Sequence, residues 1–337
     1  MGEDYANNHI ATKSYLKGWA NPAARNRVAR VMLDDPLSRS ELKHPRRVGA
    51  RENFFGADPE VRRQAEERFN KFESKGIEAL RQLEHSWPPE GDYRSDIACL
   101  VGIHMVRNPA FITRATLLSE AEIERKMTAY RQTMTEEQIE IMLSNFRTIA
   151  FKINYMLSLV LKQASLLAAM HWTVVEFPEQ LLATSDQPVS VVPILEDGET
   201  AEIEVFPQTG FLGTHEIRFP INPRRALLMT WIEGFDTERA VRADDDIAAE
   251  MNRTTIAQAD REWFHHPSRR ATCLKKDDLA DRFCRPVAQQ LASDYTPEAA
   301  RNSGRRRTAE KTLEEMIEGE ISNEIRWSRP VLAPDGY

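Results

Sequence analysis

The first candidate for chemistry lies near the start of the chain, where His9 is followed by Lys13 and then by Tyr15, Leu16 and Trp19. Histidine titrates near neutral pH and is the most common general base, and a lysine four residues later supplies a fixed positive charge. The pair predicts a catalytic base beside a cation. The same residues also fit a terminal segment that docks its aromatic side chains in the core, with His9 bonded to backbone, and residue types alone favour that interpretation.

Two carboxylates, Glu66 and Glu73, form the second candidate. They stand seven residues apart, which is two helical turns, so they share one face of a predicted helix. Two carboxylates on one face could hold a divalent cation such as Mg²⁺ or Mn²⁺, or could divide acid and base roles. Surface glutamates are also ordinary in a chain of which 29% is charged, and that alternative is the more common one.

The third candidate is Arg107, one helical turn after His104 and directly before Asn108 and Pro109. A guanidinium at this place could bind a phosphate or carboxylate with two parallel hydrogen bonds. It could equally bond the carbonyl groups that are left without partners where the helix ends. The sequence leaves both roles open.

The fourth candidate is Asp186, in the run Thr184-Ser185-Asp186-Gln187-Pro188 that ends one predicted strand and precedes the next. Active-site carboxylates often lie at strand ends, so Asp186 is predicted to act as a catalytic group and, with Glu66 and Glu73, as a metal ligand. The alternative is a turn in which its carboxylate bonds local amides.

A basic run lies at residues 39–51, where Glu41 is the only acidic residue among Arg39, Lys43, Arg46, Arg47 and Arg51. It is interpreted as a solvated loop.

Hydrophobic spacing predicts the helices that position these groups. Asp58-Pro59 predicts the start of a helix that ends at Trp87-Pro88-Pro89. A further helix is predicted from Tyr93 to Val106, and it ends before Asn108-Pro109. Another helix is predicted from Ser119 to Met134. Thr135 and Gln138 have capping-box spacing and predict the start of a buried central helix of about 35 residues.

After His171 the hydrophobic period changes to two, and short segments rich in β-branched residues predict an antiparallel sheet. The predicted fold class is therefore α+β, with a helical bundle over about 50–170 packed on a mostly antiparallel sheet over about 171–265. One domain is predicted over 1–292. Residues 293–337 are predicted to form a polar linker, a tail and a final amphipathic helix that carries Leu313, Met316, Ile317, Ile321 and Ile325 and that could mediate homo-oligomerisation.

Composition limits the class of protein. The 337 residues carry 45 Lys and Arg against 52 Asp and Glu, so the net charge of -7 argues against bulk attraction to nucleic acid or anionic lipid, though not against a local basic patch. Cys99, Cys273 and Cys284 are far apart, which fits a reducing cytoplasm better than a disulfide framework. The sequence predicts no targeting segment and no membrane span. It also lacks the common nucleotide-binding, zincin and α/β-hydrolase motifs.

Taken in order along residues 8–265, these motifs resemble a bacterial family known only as domain of unknown function four-two-three-eight. The resemblance rests on matches in chain order: His9 with Tyr15-Leu16-Lys17 and Trp19, Glu52-Asn53-Phe54-Phe55, Glu66, Glu73, Arg107 with Pro109, Trp172, Thr184-Ser185-Asp186 with Pro188-Val189, Phe219-Pro220 with Pro223, Asn252 and Arg261. The chain departs from the pattern at Thr12, where the family has proline, and at His104, where it has glutamine. The resemblance implies a recurring polar set: His9, Lys13, Glu66, Glu73, Arg107, Asp186 and Asn252.

Two functions are compatible with these residues. The first is a metal-assisted hydrolase, nuclease-like, that acts on a phosphodiester or nucleotide. In it His9 is the base, Glu66, Glu73 and Asp186 hold Mg²⁺ or Mn²⁺, and Lys13 and Arg107 stabilise phosphate charge. The second is a non-catalytic module that binds an anionic ligand, a nucleic acid or a protein partner. Convergent carboxylates favour the enzyme, and dispersed carboxylates beside Lys and Arg favour the binding module.

Overall fold

The computed structural model describes residues 7–35, 39–83, 86–109, 134–146, 149–193, 201–202, 211–236, 239–268, 283–291 and 302–327. The helical part comprises α1 (Lys13–Leu16), α2 (Pro59–Leu83), α3 (Tyr93–Val106), α4 (Glu136–Phe146) and α5 (Ile149–Ala169). The helix predicted at 119–134 lies almost entirely outside the described residues. The predicted central helix is described as α4 and α5, on either side of residues 147–148.

The predicted capping signals begin two of these helices. The Asp58 carboxylate accepts hydrogen bonds from the amides of Glu60 and Val61 at the first turn of α2. At the start of α4, Thr135 and Gln138 bond each other's backbone amides in both directions, which is the predicted capping box. Local side chains therefore satisfy amides that have no partner within the helix.

Close approach of α2 and α3 is made possible by Gly76. A Cβ atom added at this position would lie 2.5 Å from the Cβ of Leu100, so only glycine fits without displacing α3. The other side of α3 packs against α5. The three helices thereby fix the relative positions of the glutamates on α2 and of Arg107, which follows α3.

The predicted antiparallel sheet is confirmed and has the strand order β11-β5-β10-β9-β7. Its strands are β5 (His171–Glu176), β7 (Ser190–Pro193), β9 (Thr214–Asn222), β10 (Arg225–Thr230) and β11 (Val241–Arg242), and only the short β11 pairs in parallel, with β5. The largest buried cluster lies between this sheet and the helices, as the change of period predicts.

A second sheet has the order β3-β2-β12-β6 and draws two of its strands from the N-terminal region. It contains β2 (Val28–Met32), β3 (Ser40–Lys43), β6 (Ala183–Ser185) and β12 (Glu262–His265), and a separate pair joins β1 (Asn7–His9) to β4 (Ala50–Glu52). The sequence predicted a sheet over about 171–265, and the structure adds strands from the N-terminal region, before residue 53. These N-terminal strands are short, and β3 has mostly exposed side chains, so its hydrophobic alternation is weak.

Helix α6 (Asp245–Ala257) begins at Asp244, whose carboxylate accepts from the amide of Ile247, and it ends four residues before the predicted end near Arg261. The C-terminal region includes a short pair, β8 (Ala201–Glu202) with β13 (Phe283–Cys284), then α7 (Val287–Leu291) and α8 (Gly304–Trp327). No helix within the described ranges is long and apolar enough to cross a membrane.

The predicted C-terminal helix packs on α5. Ala309 is buried and Leu313 contacts the core, while the side chains of the predicted stripe beyond Leu313 fall outside the described part. Two contacts hold its first turn: the amide of Gly304 donates to Glu233, and Arg305 pairs with Asp236 at 2.8 Å. The division into a domain over 1–292 and a C-terminal extension stays a prediction.

Candidate functional site

His9 and Lys13 lie on neighbouring elements that the backbone brings together. His9 ends β1, where it pairs with Ala50 of β4, and the next amide, that of Ile10, donates to the carbonyl of Gly49 at 2.7 Å. Thr12 then caps α1 by accepting from the amide of Tyr15. Lys13 is the first residue of α1, and both His9 and Lys13 are partly exposed.

Arg107 lies beneath this segment with only 1% of its surface exposed. Its Nη1 donates to the carbonyl of His9 at 3.0 Å and lies 2.6 Å from Oε1 of Glu73. The Glu73 contact is an ion pair and not an aligned hydrogen bond. Nη2 lies 3.5 Å from Oε2 of Glu66. The structure thus brings together four of the predicted site residues, and among the described contacts the Arg107 guanidinium bonds the carbonyl of His9 and not the carbonyls at the end of its own helix.

Two side chains that the sequence did not single out complete this cluster. Asn8 donates to Glu66 at 3.0 Å and accepts from the amide of Phe55. The guanidinium carbon of Arg107 lies 4.6 Å from the ring centre of Phe69 and 5.6 Å from that of Phe55, in cation–π geometry. A buried asparagine has no periodic signature, so composition and spacing could not identify Asn8.

Electrostatics distinguish His9 from Glu73. Burial lowers the pKa of His9 from its usual value, Arg107 and Lys13 lower it further, and Glu66 and the carbonyl of Pro45 oppose the shift. Burial raises the pKa of Glu73, against the attraction of Arg107. His9 is therefore a neutral base at pH 7. Its Nε2 is shielded from solvent and has no hydrogen-bond partner among the described residues.

His104 belongs to the core rather than to this site. Its ring centre lies 5.3 Å from that of Tyr15 and 5.7 Å from that of Phe219, and burial lowers its pKa to about 3, with a further contribution from Arg107. Tyr15 donates to the carbonyl of Pro220 at 2.6 Å and bonds Thr184 at 2.7 Å, so it fastens α1 to both sheets. Burial raises the pKa of the Tyr15 hydroxyl.

Asp186 has a different set of partners. Its carboxylate accepts from the amides of Asp260 and Arg261, both at 2.9 Å, and lies 3.5 Å from Nη2 of Arg51. Burial raises its pKa to about 7, and the nearby Asp260 adds to the shift while the two amides oppose it. The bonded amides are 74 and 75 positions away, so Asp186 does not form the local turn considered as its alternative role. It joins β6 to the loop before β12.

The described contacts do not bring the Asp186 carboxylate into the group around His9. Indirect links do join the two groups: Asn108, next to Arg107, donates to Gln187, next to Asp186, at 2.5 Å, and Arg51, which pairs with Asn8 of β1, lies 3.5 Å from the Asp186 carboxylate. Asn252, the last member of the implied polar set, bonds the backbone of Ala183 and Leu181 and so holds β6 on α6.

The predicted metal site is not assembled in the part of the chain that the structure describes. Within those ranges no three His, Cys, Asp or Glu side chains are grouped so that they could hold a metal ion. The physical reason is the position of Arg107, whose guanidinium is the cation between Glu66 and Glu73. With Asp186 bonded to amides of another loop, the three carboxylates do not fit a shared Mg²⁺ or Mn²⁺.

Comparison with known proteins places the chain in a family. A family model described as "Protein of unknown function (DUF4238)" matches residues 7–269, which contain the His9 group, Asp186 and both main sheets. No curated protein matches the chain. No solved structure matches it either. The chain therefore belongs to the DUF4238 family of proteins of unknown function.

Proposed function

We propose that this chain is a binding module for a small anionic ligand, which His9 and Lys13 contact. The observation that supports it is Nε2 of His9, which is shielded from solvent and makes no aligned hydrogen bond to the described residues, although the carbonyl of Pro45 lies near the ring, on a side chain that is itself only partly buried. An unsatisfied buried nitrogen costs about 1–3 kcal/mol. A ligand oxygen at this nitrogen removes that cost, and the ammonium of Lys13 supplies a positive charge beside it.

The arrangement of the carboxylates favours binding over metal-assisted hydrolysis. Glu66 and Glu73 both pair with Arg107, and Asp186 accepts from two backbone amides. Dispersed carboxylates beside Lys and Arg are the geometry expected of an anion-binding module. Chemistry that needs three converging carboxylates has no such group among the described side chains.

Arg107 acts in this proposal as a positioning residue. It is almost fully buried between two aromatic rings, and its guanidinium is already neutralised by carboxylates. Its hydrogen bond to the carbonyl of His9 sets the end of β1 and therefore the direction of the His9 side chain. Glu66 also holds this strand, because it accepts a hydrogen bond from the side chain of Asn8, which lies in β1.

The test is thermal unfolding and calorimetric titration of the full chain with inorganic phosphate, pyrophosphate, nucleoside monophosphates and dicarboxylates. At least one of these anions should raise the melting temperature in a concentration-dependent manner, because a ligand that binds only the folded state stabilises it. His9→Ala and Lys13→Ala should each lower the affinity at least tenfold. Lys17→Ala is the matched control, because Lys17 is exposed one helical turn after Lys13. Equal loss in Lys13→Ala and Lys17→Ala would contradict the proposal.

A hydrolase for phosphodiesters or nucleotides is the second candidate, favoured by the lowered pKa of His9. A neutral imidazole at pH 7 can take a proton from water as the water attacks phosphorus. The P–O ester bond then breaks, the imidazolium returns the proton to the leaving alkoxide, and Lys13 can stabilise the developing charge on the phosphate. Product release from a chromogenic phosphodiester and from nucleotides, with EDTA or with added Mn²⁺, tests this function. Turnover that is lost in His9→Ala but kept in Lys17→Ala would favour it, and binding without turnover would exclude it for these substrates.

A further inference from the structure

Basic charge is concentrated in the segment around the His9 group. Residues 13–51 contain ten Lys and Arg against three Asp and Glu, a formal charge of +7 in a chain whose net charge is -7. The sequence alone was interpreted as a solvated loop at 39–51. The structure places most of residues 39–51 in β3, in the 3-10 turn Pro45–Arg47 and in β4, so the backbone that carries these charges is ordered into defined elements.

The fold brings four of these arginines to one end of the β2–β3 hairpin. Val28 pairs with Lys43, so Arg27, which precedes β2, and the residues that follow β3 emerge at the same end. After β3 the chain makes a 3-10 turn, Pro45–Arg47, and this turn packs against α1. Arg25 lies in the tight connection closed by the bond from the amide of Asn21 to the carbonyl of Arg27. We call Arg25, Arg27, Arg46 and Arg47 the basic end.

The basic end adjoins His9. The carbonyl of Pro45, in the turn that contains Arg46 and Arg47, is close enough to favour protonation of the His9 ring by hydrogen bonding. The amide that follows His9 bonds the carbonyl of Gly49, two residues after Arg47. The backbone of the turn that carries Arg46 and Arg47 therefore lies next to His9 and packs on the helix that begins at Lys13.

These four arginines are available to a ligand. All four are exposed, and none forms an ion pair with a carboxylate in the described ranges. The acidic groups of the same hairpin are used elsewhere: Glu41 pairs with Arg30 and Lys43, and Asp35 pairs with Arg39 near the opposite end. Exposed arginines without partners repel one another, and a polyanion relieves that repulsion.

We propose that the basic end binds the phosphate backbone of a nucleic acid and presents one of its phosphates to His9 and Lys13. This rests on the proposed anion-binding function and names the ligand class. Arginine forms paired hydrogen bonds with phosphate, and several such contacts along one edge match a chain of phosphates better than a single small anion. Since no Phe, Tyr or Trp lies between Arg25 and Arg47 in the sequence, we expect the contacts to be mainly to the backbone and binding to be independent of base sequence.

The experiment measures binding of fluorescently labelled single-stranded and duplex 20-nucleotide DNA and RNA to the full chain between 50 and 300 mM salt. Affinity should fall steeply with salt, because each phosphate contact contributes about 0.7–0.9 to the slope of log affinity against log salt. Arg46→Ala/Arg47→Ala should weaken binding at least tenfold and reduce the slope by about 1.4–1.8. Arg307→Ala/Lys311→Ala on α8 removes the same charge from exposed positions and should change neither quantity.

The outcomes separate this inference from the proposed function. Tight binding that the Arg46/Arg47 variant weakens, while the α8 variant does not, supports it, and unrelated sequences should bind equally. No binding at 50 mM salt, or equal effects of the two double variants, would overturn it. Phosphate binding is measured separately, on the wild type and on His9→Ala. If the wild type binds phosphate but not nucleic acid, only this inference is refuted and the proposed anion-binding function stands. Nucleic-acid binding that does not need His9 refutes the shared site.

Discussion

The guanidinium of Arg107 donates to the backbone carbonyl of His9 at 3.0 Å, across 98 positions of the chain. Through this bond the end of the α3 segment fixes the end of β1, and the same guanidinium is neutralised by Glu73 and Glu66 from α2. Three elements that are distant in sequence thus meet at one buried cation. In the proposed function this buried cluster holds His9 in place, and His9 and Lys13, not the cluster, contact the anion.

Removal of that cation should be costly. Arg107→Ala leaves Glu73 buried and without its partner, and breaking a buried pair in this way costs about 3–5 kcal/mol. Urea unfolding at pH 7 measures the loss. Arg63→Ala is the control, since Arg63 forms exposed ion pairs with Glu60 and Glu67, which should contribute about 0–1 kcal/mol. Equal losses in the two variants would contradict the role given to Arg107.

Asp186 should prove structural. Asp186→Ala removes the acceptor of the amides of Asp260 and Arg261, and each of these partly buried hydrogen bonds should contribute about 0.5–1.5 kcal/mol. Phosphate affinity should change less than twofold in the folded variant. The same two measurements on Asp260→Ala, which removes a more exposed carboxylate that also contacts Arg51, provide the comparison. Normal stability with abolished ligand binding would return Asp186 to the site.

His104 should make the fold sensitive to acid. Its folded-state pKa of about 3 lies below the usual 6.5 of histidine, so the unfolded chain binds more protons between these values. The corresponding stability is present above pH 6.5 and is lost as the pH falls toward about 3. In His104→Gln, which keeps a polar side chain but has no titrating ring, this contribution is absent.

Free energies of unfolding at pH 7.5, 6 and 4.5 test the effect. The difference between variant and wild type should shift in favour of the variant as the pH falls. A difference that stays constant over this range would contradict the prediction, because it would mean that His104 takes up no additional proton when the chain unfolds.

The local part of the fold could be predicted from the sequence because its signals are local. Asp58 and Thr135 satisfy amides within their own first turns, and the change of period at His171 marks the point at which strands begin. The β2–β12 pairing joins Val31 to Trp263, and no local pattern specifies a partner that is more than two hundred positions away. For this reason the second sheet was not predicted.

The site was predictable in its membership more than in its roles. Spacing correctly placed Glu66 and Glu73 on one face of α2, and both reach the same guanidinium. A metal ion and an arginine satisfy two carboxylates in similar ways, so residue types could not decide which cation lies between them. The separation of Asp186 from His9 depends on the loop at 260–261, whose backbone amides are invisible in a pattern of side chains.

The most direct test of the proposed site is an NMR titration of the histidine rings in the presence and absence of phosphate. Without ligand, His9 should titrate below 6.5, because burial and the nearby Arg107 and Lys13 disfavour its charged form. Saturating phosphate should raise the pKa of His9 by about one unit or more, since a bound anion favours the imidazolium. The buried His104 serves as an internal control and should not respond. If phosphate binds and the pKa of His9 does not change, or if His9 and His104 shift equally, His9 is not the anion contact.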